Sequence, residues 1–368
     1  MTFFNVVTRS LKRRPVRTGL TLLGISFGIG AVVALLGLSR GFVSSWTAGM
    51  KERGTDIVVH NMAGSLTPKP FPASVRDRVA NLPGVAATCT ILVDLKSIET
   101  AELMIVSGRE WGCFAWNDLK LVSGRLPTDA NERAVVLGTT AAEILKKKVG
   151  DTVQVEADEL KVVGIVNGGA FVENGSLVIS LPVMQQITGN QNQISAVDVR
   201  VKPGTDVRQL CAEMNRVLPE TRADPADEHI SRSEGYRIIN AMSWGTSLLA
   251  VLVGVLGVTN TMLMSVFERK QEIAILLALG WKRIRIVRMI LLESAVIGFF
   301  GGLIGILLGI AAVSILKTAP AIRGMLEPDL RTSLMLEAVA IAVFVGVLSG
   351  LYPAWRSSRV APSLALHE

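Results

Sequence analysis

Long stretches without charged residues constrain what this chain can fold into. No charge interrupts the sequence between Arg17 and Arg40, or between Arg237 and Glu268. A helix rises about 1.5 Å per residue, so about 20 apolar residues cross the roughly 30 Å of hydrocarbon in a bilayer. We predict four membrane spans: a first at 18–40, a second with its stalk at 238–267, a third at 289–316 and a fourth at 334–352.

The composition also indicates a membrane protein. Of the 368 residues, 49% are hydrophobic but only 5% are aromatic. The net charge of +7 would suit a nucleic-acid binder, but the bases flank apolar runs and are not interleaved with aromatic residues that could stack on bases. The pattern favours contacts with membrane lipids and predicts no nucleic-acid partner.

The distribution of Lys and Arg predicts the orientation. Bases dominate residues 1–17, 268–288 and 353–368, whereas those in 317–333 are offset by acids. The positive-inside rule places basic segments in the cytoplasm, so both termini are expected there, with 1–17 as a basic amphipathic helix and 317–333 as a short external loop. A cleaved signal peptide is the alternative at the N-terminus, but the apolar run exceeds the roughly 7 to 15 residues of a signal h-region. We expect the span to be retained.

Residues 41–237 are then external and have the pattern of an α+β domain. Short β-branched runs separated by Gly, Asn, Asp and Pro predict strands and turns. A strand–loop–helix pattern begins at Asp56 and again at Asp198. We infer a discontinuous α/β subdomain at about 50–100 and 198–230, with a β-rich subdomain at about 101–197 inserted into it. The predicted fold is an α-helical membrane protein with four transmembrane helices and an α+β extracytoplasmic domain between helices 1 and 2.

Motifs for catalysis and metal binding are absent from the sequence. It has no GxxxxGK[ST], so the chain has no P-loop of its own, and it has neither GxSxG nor HExxH. His60, His229 and His367 lie far apart, and the trio Asp227-Glu228-His229 is more typical of a solvated helix start than of a metal site. We predict a non-catalytic chain with no metal ligands.

The cysteines give no sign of a disulfide framework. Cys89, Cys113 and Cys211 are odd in number and have neither CxxC nor metal-ligand spacing. We expect buried small residues.

Glycine spacing indicates close helix packing. Glycines recur at intervals of four at Gly24 and Gly28 in the first span and at Gly301, Gly305 and Gly309 in the third. Such stripes let another helix backbone approach, either within this chain or from a second copy. Two carboxylates near span ends, Glu293 and Glu337, are expected at the membrane interface.

The segment between the second and third spans reads ERKQEIAILLALGWKRIRIVR, residues 268–288. Its first part, from Glu268 to Leu279, suits a helix, because acids stand near its start and Gly280 occupies the position of a terminating C′ residue. Apolar residues at i, i+3 and i+4 from Ile273 create one apolar face, which lipid headgroups, the chain itself or a partner could cover.

At these residues the sequence resembles a known family. Residues 268–309 are similar to the cytoplasmic loop and third span of permeases related to the macrolide exporter MacB, the lipoprotein-releasing LolC and LolE, and the divisome protein FtsX. The closing YPAWRSSRVAPSLAL resembles their C-terminal motif, here carried by Tyr352, Pro353, Arg356 and Pro362. The sequence departs from the family at Ser358, where alanine is usual, and at the bulky Trp281.

The resemblance implies a permease subunit of an ABC transporter of the mechanotransmission type. Two copies of a separate cytoplasmic ATPase would bind ATP and Mg, and a second permease copy would complete a homodimer or heterodimer in a bacterial inner membrane. A periplasmic adaptor is a further partner that this type allows. The resemblance implies that the ATPase docks on the segment from Glu268 to Gly280. Its docking residues would be Ile273, Leu276, Leu277 and Leu279, and the charged residues Glu268, Arg269, Lys270 and Glu272 of the same segment would make contacts at the rim.

We therefore expect motion driven by ATP to pass through the stalk to the external domain, for efflux of a lipophilic or amphipathic substrate. The first alternative is an FtsX-like signalling permease that activates an external hydrolase without transport. The second is a membrane-anchored external enzyme. No residue pattern selects the substrate.

Overall fold

The computed structural model describes residues 15–62, 69–99, 102–117, 119–168, 171–318 and 328–359. These residues form two compact units, one drawn from the described residues of 15–38, 241–315 and 328–359, and the other from those of 39–240 and 316–318. The predicted basic helix falls outside the described residues up to position 14, as does Pro362 of the C-terminal motif.

Helices and strands are numbered along the chain. The helices are α1 Pro15–Glu52, α2 Val75–Ala80, α3 Phe114–Asn117, α4 Thr139–Leu145, α5 Phe171–Asn174, α6 Leu181–Thr188, α7 Val207–Val217, α8 Ala226–Arg232, α9 Glu234–Glu268, α10 Lys270–Ala278, α11 Arg283–Leu316 and α12 Thr332–Ser357. The strands are β1 Ile57–Asn61, β2 Phe71–Pro72, β3 Val85–Ile98, β4 Glu102–Arg109, β5 Lys120–Gly124, β6 Ala134–Gly138, β7 Thr152–Val155, β8 Asp158–Asn167, β9 Leu177–Ser180, β10 Gln193–Ile194, β11 Ala196–Val201 and β12 Thr221–Pro225.

Helices α1, α9, α11 and α12 are long and apolar enough to cross a membrane. They confirm the four predicted spans, with the α+β domain lying between the first two. The helices run further than the charge gaps indicated, since α1 continues through Arg40 to Glu52 and α12 ends at Ser357. A charged residue ends an apolar stretch but does not end a helix, because the backbone hydrogen bonds continue through it.

The helical unit is held together by small and branched side chains. Ile25, Ile29 and Val33 of α1 belong to one buried cluster with Ile297 of α11 and Ala342 of α12. Close packing of this kind supplies helix association in lipid, where burial of apolar surface offers little advantage.

The α+β unit is organised around one mixed ten-stranded sheet. Its strand order is β12-β1-β11-β3-β4-β9-β6-β8-β5, with β7 pairing to β3 and β8, while β2 and β10 form a separate pair. The β4–β9 and β6–β8 pairs are parallel, and the other pairs in the main sheet are antiparallel. Both predicted strand–loop–helix patterns are present, as β1 with α2 and as β11 with α7.

The long strand β3 joins the two predicted subdomains. Its first half pairs with β11, and its second half pairs with β4 from Ile91 to Ile98. The strands of 101–197 therefore extend the same sheet and do not form a second one. The predicted boundary at residue 100 falls between β3 and β4, where the local sequence shows that a strand ends but not which strand pairs with it.

A disulfide joins Cys89 of β3 to Cys113, which precedes α3. The expectation that no cysteines pair is therefore wrong for these two. Their Cα atoms are 5.4 Å apart because the β3–β4 hairpin returns the chain to the same place, and sequence spacing alone cannot show this. Cys211 is a free, buried thiol, as expected.

A buried ion cluster lies in the same unit, where α1 ends. Arg53, one residue beyond α1, donates to Glu173 at 2.9 Å and lies 3.6 Å from Asp198. Arg109 of β4 also donates to Glu173, and Thr55 donates to Asp198 at 3.0 Å. Burial alone would raise the pKa of Glu173, but Arg109 and Arg53 hold it below its ordinary value, whereas burial raises the pKa of Asp198. The cluster thus joins the end of α1 to both parts of the sheet.

Candidate ATPase-coupling element

The predicted coupling segment is a short helix between two long ones. Helix α9 ends at Glu268, and Arg269 leaves helical geometry with φ −103° and ψ 17° before α10 begins at Lys270. The predicted helix from Glu268 to Leu279 is thus divided at Arg269. This break lets α10 take a different direction from α9.

A glycine cap ends α10. Gly280 has φ +88°, a left-handed conformation that costs a residue with a Cβ about 1 kcal/mol. Its N–H donates to the carbonyl of Leu277, and the N–H of Trp281 donates to that of Leu276, both at 3.1 Å. This pair of bonds is a Schellman motif, and Trp281 and Leu276 pack into the same apolar cluster. The bulky Trp281 therefore completes the cap.

The structure covers the apolar face of α10 with the chain itself. Ile273 is only 3% exposed and packs with Ile286 and Ile290 of α11 and Ala354 of α12. Leu276 and Leu277 are half-buried against the same cluster. The chain itself therefore covers Ile273, and i, i+3, i+4 spacing shows a buried face but not which partner buries it. The role of Ile273 in docking stays a prediction. Only part of the Leu276 and Leu277 side chains is exposed and could contact a partner.

Other apolar side chains of the segment face outward. Leu279 is 74% exposed and Ile275 is 50% exposed. Around them stand exposed charges at Glu272, Lys282 and Arg283. An apolar centre with a charged rim is the usual anatomy of a protein interface. Ile275 and Ile284, the latter 54% exposed on α11, were not in the predicted docking set because neither fits the helical stripe from which that set was drawn.

Arg269, predicted as a rim contact, also forms ion pairs within the chain. It lies 3.3 Å from Glu272 on α10 and 3.3 Å from Glu293 on α11. Glu293 is buried, so this pair holds the start of α10 against α11. Glu268 is exposed at the end of α9, and Lys270 is half-buried.

The C-terminal motif lies beside the coupling element. Arg356 of α12 lies over the ring of Phe267, 4.7 Å from its centroid, one residue before α9 ends. Pro353 is buried inside α12, and Tyr352 is exposed. Ala354 belongs to the cluster that covers Ile273. The two stretches that carry the family resemblance therefore contact one another.

The third-span glycines lie against α1. A Cβ added to Gly301, Gly305 or Gly309 would stand 2.8 Å from a side-chain atom of Ile25, Ile29 or Val33, in that order. Gly28 faces α9, with the carbonyl oxygen of Ala250 3.1 Å from its added Cβ, whereas the space around Gly24 would accept a side chain. A second set of close contacts, which the spacing of four did not indicate, lies between α11 and α12 at Gly298, Gly302, Gly346 and Gly350.

Two family models match the chain. The MacB-like periplasmic core domain matches residues 18–217, and the FtsX-like permease C-terminal domain matches residues 244–362. Two similar proteins are uncharacterised ABC transporter permeases of nearly the same length. One, from Methanocaldococcus jannaschii, is 25% identical over 96% of this chain and 94% of its own, and the other, YknZ of Bacillus subtilis, is 24% identical over 97% and 96%.

MacB of Nitrobacter winogradskyi, named a macrolide export ATP-binding/permease protein, is 23% identical over 97% of this chain. This chain spans only 59% of that protein's length. Among solved structures, the periplasmic region of MacB from Actinobacillus actinomycetemcomitans matches 50% of this chain and 96% of its own, at 14% identity and a TM-score of 0.39. The extracellular domain of YknZ matches 46% and 98%, at 16% identity and a TM-score of 0.37. From its two family domains, the chain belongs to the MacB-like and FtsX-like ABC transporter permeases, which are multi-pass membrane proteins.

Proposed function

We propose that this chain is the permease subunit of an ABC exporter that transmits motion from a separate cytoplasmic ATPase to its periplasmic domain. The transported substrate is lipophilic or amphipathic. The observation that carries the proposal is the continuous helix α9, followed directly by the capped helix α10 with its exposed Leu279 and Ile275.

Helix α9 is longer than the hydrocarbon core of a membrane is thick. Its 35 residues rise about 52 Å at 1.5 Å per residue, whereas the hydrocarbon core is about 30 Å thick. A helix of this length carries a displacement at one end to the other without passing through a loop. Residues 234–240 at its start belong to the α+β unit, so a push on α10 reaches that unit along one helix.

The ATPase is proposed as a separate protein because this chain has no P-loop motif. Two copies of it would bind ATP and Mg and would dock on the coupling elements of two permease copies. The Schellman cap and the Arg269–Glu293 pair hold α10 in place, so force applied to it moves α9 and α11 and does not unfold the segment.

The proposed location is a cytoplasmic membrane with both termini in the cytoplasm. The bases at 268–288 support this orientation through the positive-inside rule. The Cys89–Cys113 disulfide supports it independently, because disulfides persist in oxidising compartments and these cysteines lie in the α+β unit.

The test replaces the most exposed apolar residue of the element. Leu279→Asp puts a charge at the centre of the proposed interface without disturbing the buried cluster around Ile273. We expect binding of the ATPase to weaken at least about tenfold, which corresponds to about 1.4 kcal/mol, and ATPase stimulation to be lost. Binding is measured by titrating the purified permease in detergent with the ABC ATPase that co-purifies with it.

Leu103→Asp is the matched control, since Leu103 is 56% exposed on β4 of the α+β unit. It makes the same substitution on a surface that no cytoplasmic protein can reach in the proposed orientation. Equal ATPase binding by the Leu279→Asp variant and the wild type would overturn the proposed docking surface. Loss of binding in both variants would show a general defect and would equally count against it.

A further inference from the structure

We infer that His60, Asp224 and His229 form a binding site for a divalent transition-metal ion of the zinc class, on the α+β unit. One ligand atom from each residue lies within 4.8 Å of the other two. This site is independent of ATPase coupling, and neither the spacing of the histidines nor any sequence motif indicated it.

The sheet and one short helix bring these residues together. His60 lies on β1 opposite Arg222 of β12, so Asp224, two residues further along β12, points to the same face of the sheet. The chain then turns directly into α8, which carries His229. The two imidazole rings meet edge to face with centroids 4.5 Å apart.

The hydrogen bonds of His60 leave one ring nitrogen directed at the carboxylate. Its Nδ1 lies 2.9 Å from the carbonyl oxygen of Asn61, and its Nε2 lies 3.1 Å from Oδ2 of Asp224. Both neighbours are acceptors, and a neutral imidazole has a single N–H. If Nδ1–H donates to Asn61, then Nε2 and Oδ2 are two acceptors facing each other, and a proton or a metal ion between them would satisfy both. A backbone carbonyl on the far nitrogen is the partner that metal-binding histidines typically have.

His229 distinguishes a metal ion from a proton. Its Nδ1 is buried and has no hydrogen-bond partner among the described residues. A buried polar atom without a partner costs roughly 1–3 kcal/mol, so it calls for an explanation. A proton shared by His60 and Asp224 gives His229 no partner, whereas a metal ion bound through Nδ1 of His229 would give that atom one.

The carboxylate is oriented by neighbouring arginines. Arg232 donates to Oδ1 of Asp224 at 3.2 Å, and Arg222 donates to Oδ1 at 3.3 Å and to Oδ2 at 3.1 Å. Both arginine side chains are about half exposed, so Arg222 can release Oδ2 to a metal ion while Oδ1 stays bonded. Hydrogen bonds from neighbouring side chains of this kind orient carboxylate ligands.

Zinc fits this donor set. Two imidazoles, one carboxylate and a water give the tetrahedral arrangement that Zn²⁺ adopts, with ligands about 2.0–2.2 Å from the metal and about 3.3 Å from one another. The distance of 3.1 Å between His60 Nε2 and Asp224 Oδ2 is already close to this ligand–ligand separation. The widest separation among the three ligand atoms is at most 4.8 Å, and a side-chain movement of about 1.5 Å would shorten it to about 3.3 Å. The bound ion would fasten α8, and with it the start of α9, to β1 and β12.

The experiment uses the full-length chain, purified in detergent through an affinity tag without histidine and stripped with a chelator. Titration with ZnCl₂ by calorimetry is expected to show one zinc per chain with a Kd below about 1 µM. His60→Gln and His229→Gln are each expected to weaken binding at least tenfold. His367→Gln is the matched control, because His367 is the third and last histidine of the sequence, and it should bind zinc as the wild type does.

A second measurement needs no variant and covers the case in which a substitution unfolds the unit. Zinc is expected to protect His60 and His229 of the wild type from diethyl pyrocarbonate, as read by peptide mass spectrometry, while His367 stays reactive. Absence of zinc binding by the wild type, unchanged affinity in both variants, or equal labelling with and without zinc would each overturn the site.

Discussion

At the scale of single residues, burial decides the chemistry of the cysteines. Cys211 on α7 is buried, and this burial raises the pKa of its thiol to about 12. The thiolate is the reactive form, so at pH 8 only about one molecule in ten thousand carries it. We expect iodoacetamide to label no cysteine in the folded protein, one after denaturation without reductant, and three after denaturation with reductant. Mass spectrometry of the labelled chain counts them, and labelling of Cys89 or Cys113 before reduction would contradict the disulfide.

At the scale of elements, the buried ion cluster fixes the end of α1 in the sheet. Removing one partner of a buried ion pair leaves uncompensated charge and costs about 3–5 kcal/mol. We expect Glu173→Gln, which leaves Arg53 and Arg109 facing one carboxylate fewer, to lower the unfolding temperature of the α+β unit in the full-length protein. Glu220→Gln is the control, because its pair with Arg78 is exposed and such pairs contribute about 0–1 kcal/mol.

The pH dependence of this effect follows from the lowered pKa of Glu173. A carboxylate whose folded pKa lies below its unfolded value stabilises the fold above the unfolded value of about 4.5, and this contribution is lost as the pH falls through the folded pKa. The difference between wild type and Glu173→Gln should therefore be full at pH 7 and shrink below about pH 4.5. Thermal unfolding followed by circular dichroism at several pH values measures it, and a difference that grows on acidification would refute this role.

The elements also show what the sequence could and could not predict. Charge gaps located the four spans, and the position of Gly280 located the end of α10, because both depend on local chemistry. Contacts between residues that are distant in sequence could not be predicted. Ile286 and Ala354 cover Ile273 only once the helices have packed. In the same way, His60 meets His229 only once the strands and α8 have packed. The sequence therefore predicted where α10 ends, but not that the chain itself covers Ile273.

At the scale of the whole molecule, α9 carries a stripe that is exposed among the described residues and is suited to a second copy. Gly245, Leu249, Leu252 and Leu256 follow i, i+4, i+7, i+11 spacing, and all four are exposed. Gly245 has open space around it, so another helix backbone can approach there. The spacing is that of a helix-pairing seam, and it lies on the helix proposed to transmit motion. We expect two permease copies to pair along this stripe.

Cysteine cross-linking tests this pairing in membranes. Leu249→Cys and Leu256→Cys are each expected to give disulfide-linked dimers after mild oxidation, because equivalent positions on a shared seam bring Cα atoms within about 7 Å. The control is Leu307→Cys, since Leu307 is 67% exposed on α11 and lies outside the stripe. The native cysteines should not interfere, because two are already paired and Cys211 is buried. Dimers at Leu307 as abundant as those at Leu249 and Leu256 would place the contact between copies elsewhere, and α9 would then transmit motion without also joining the two subunits.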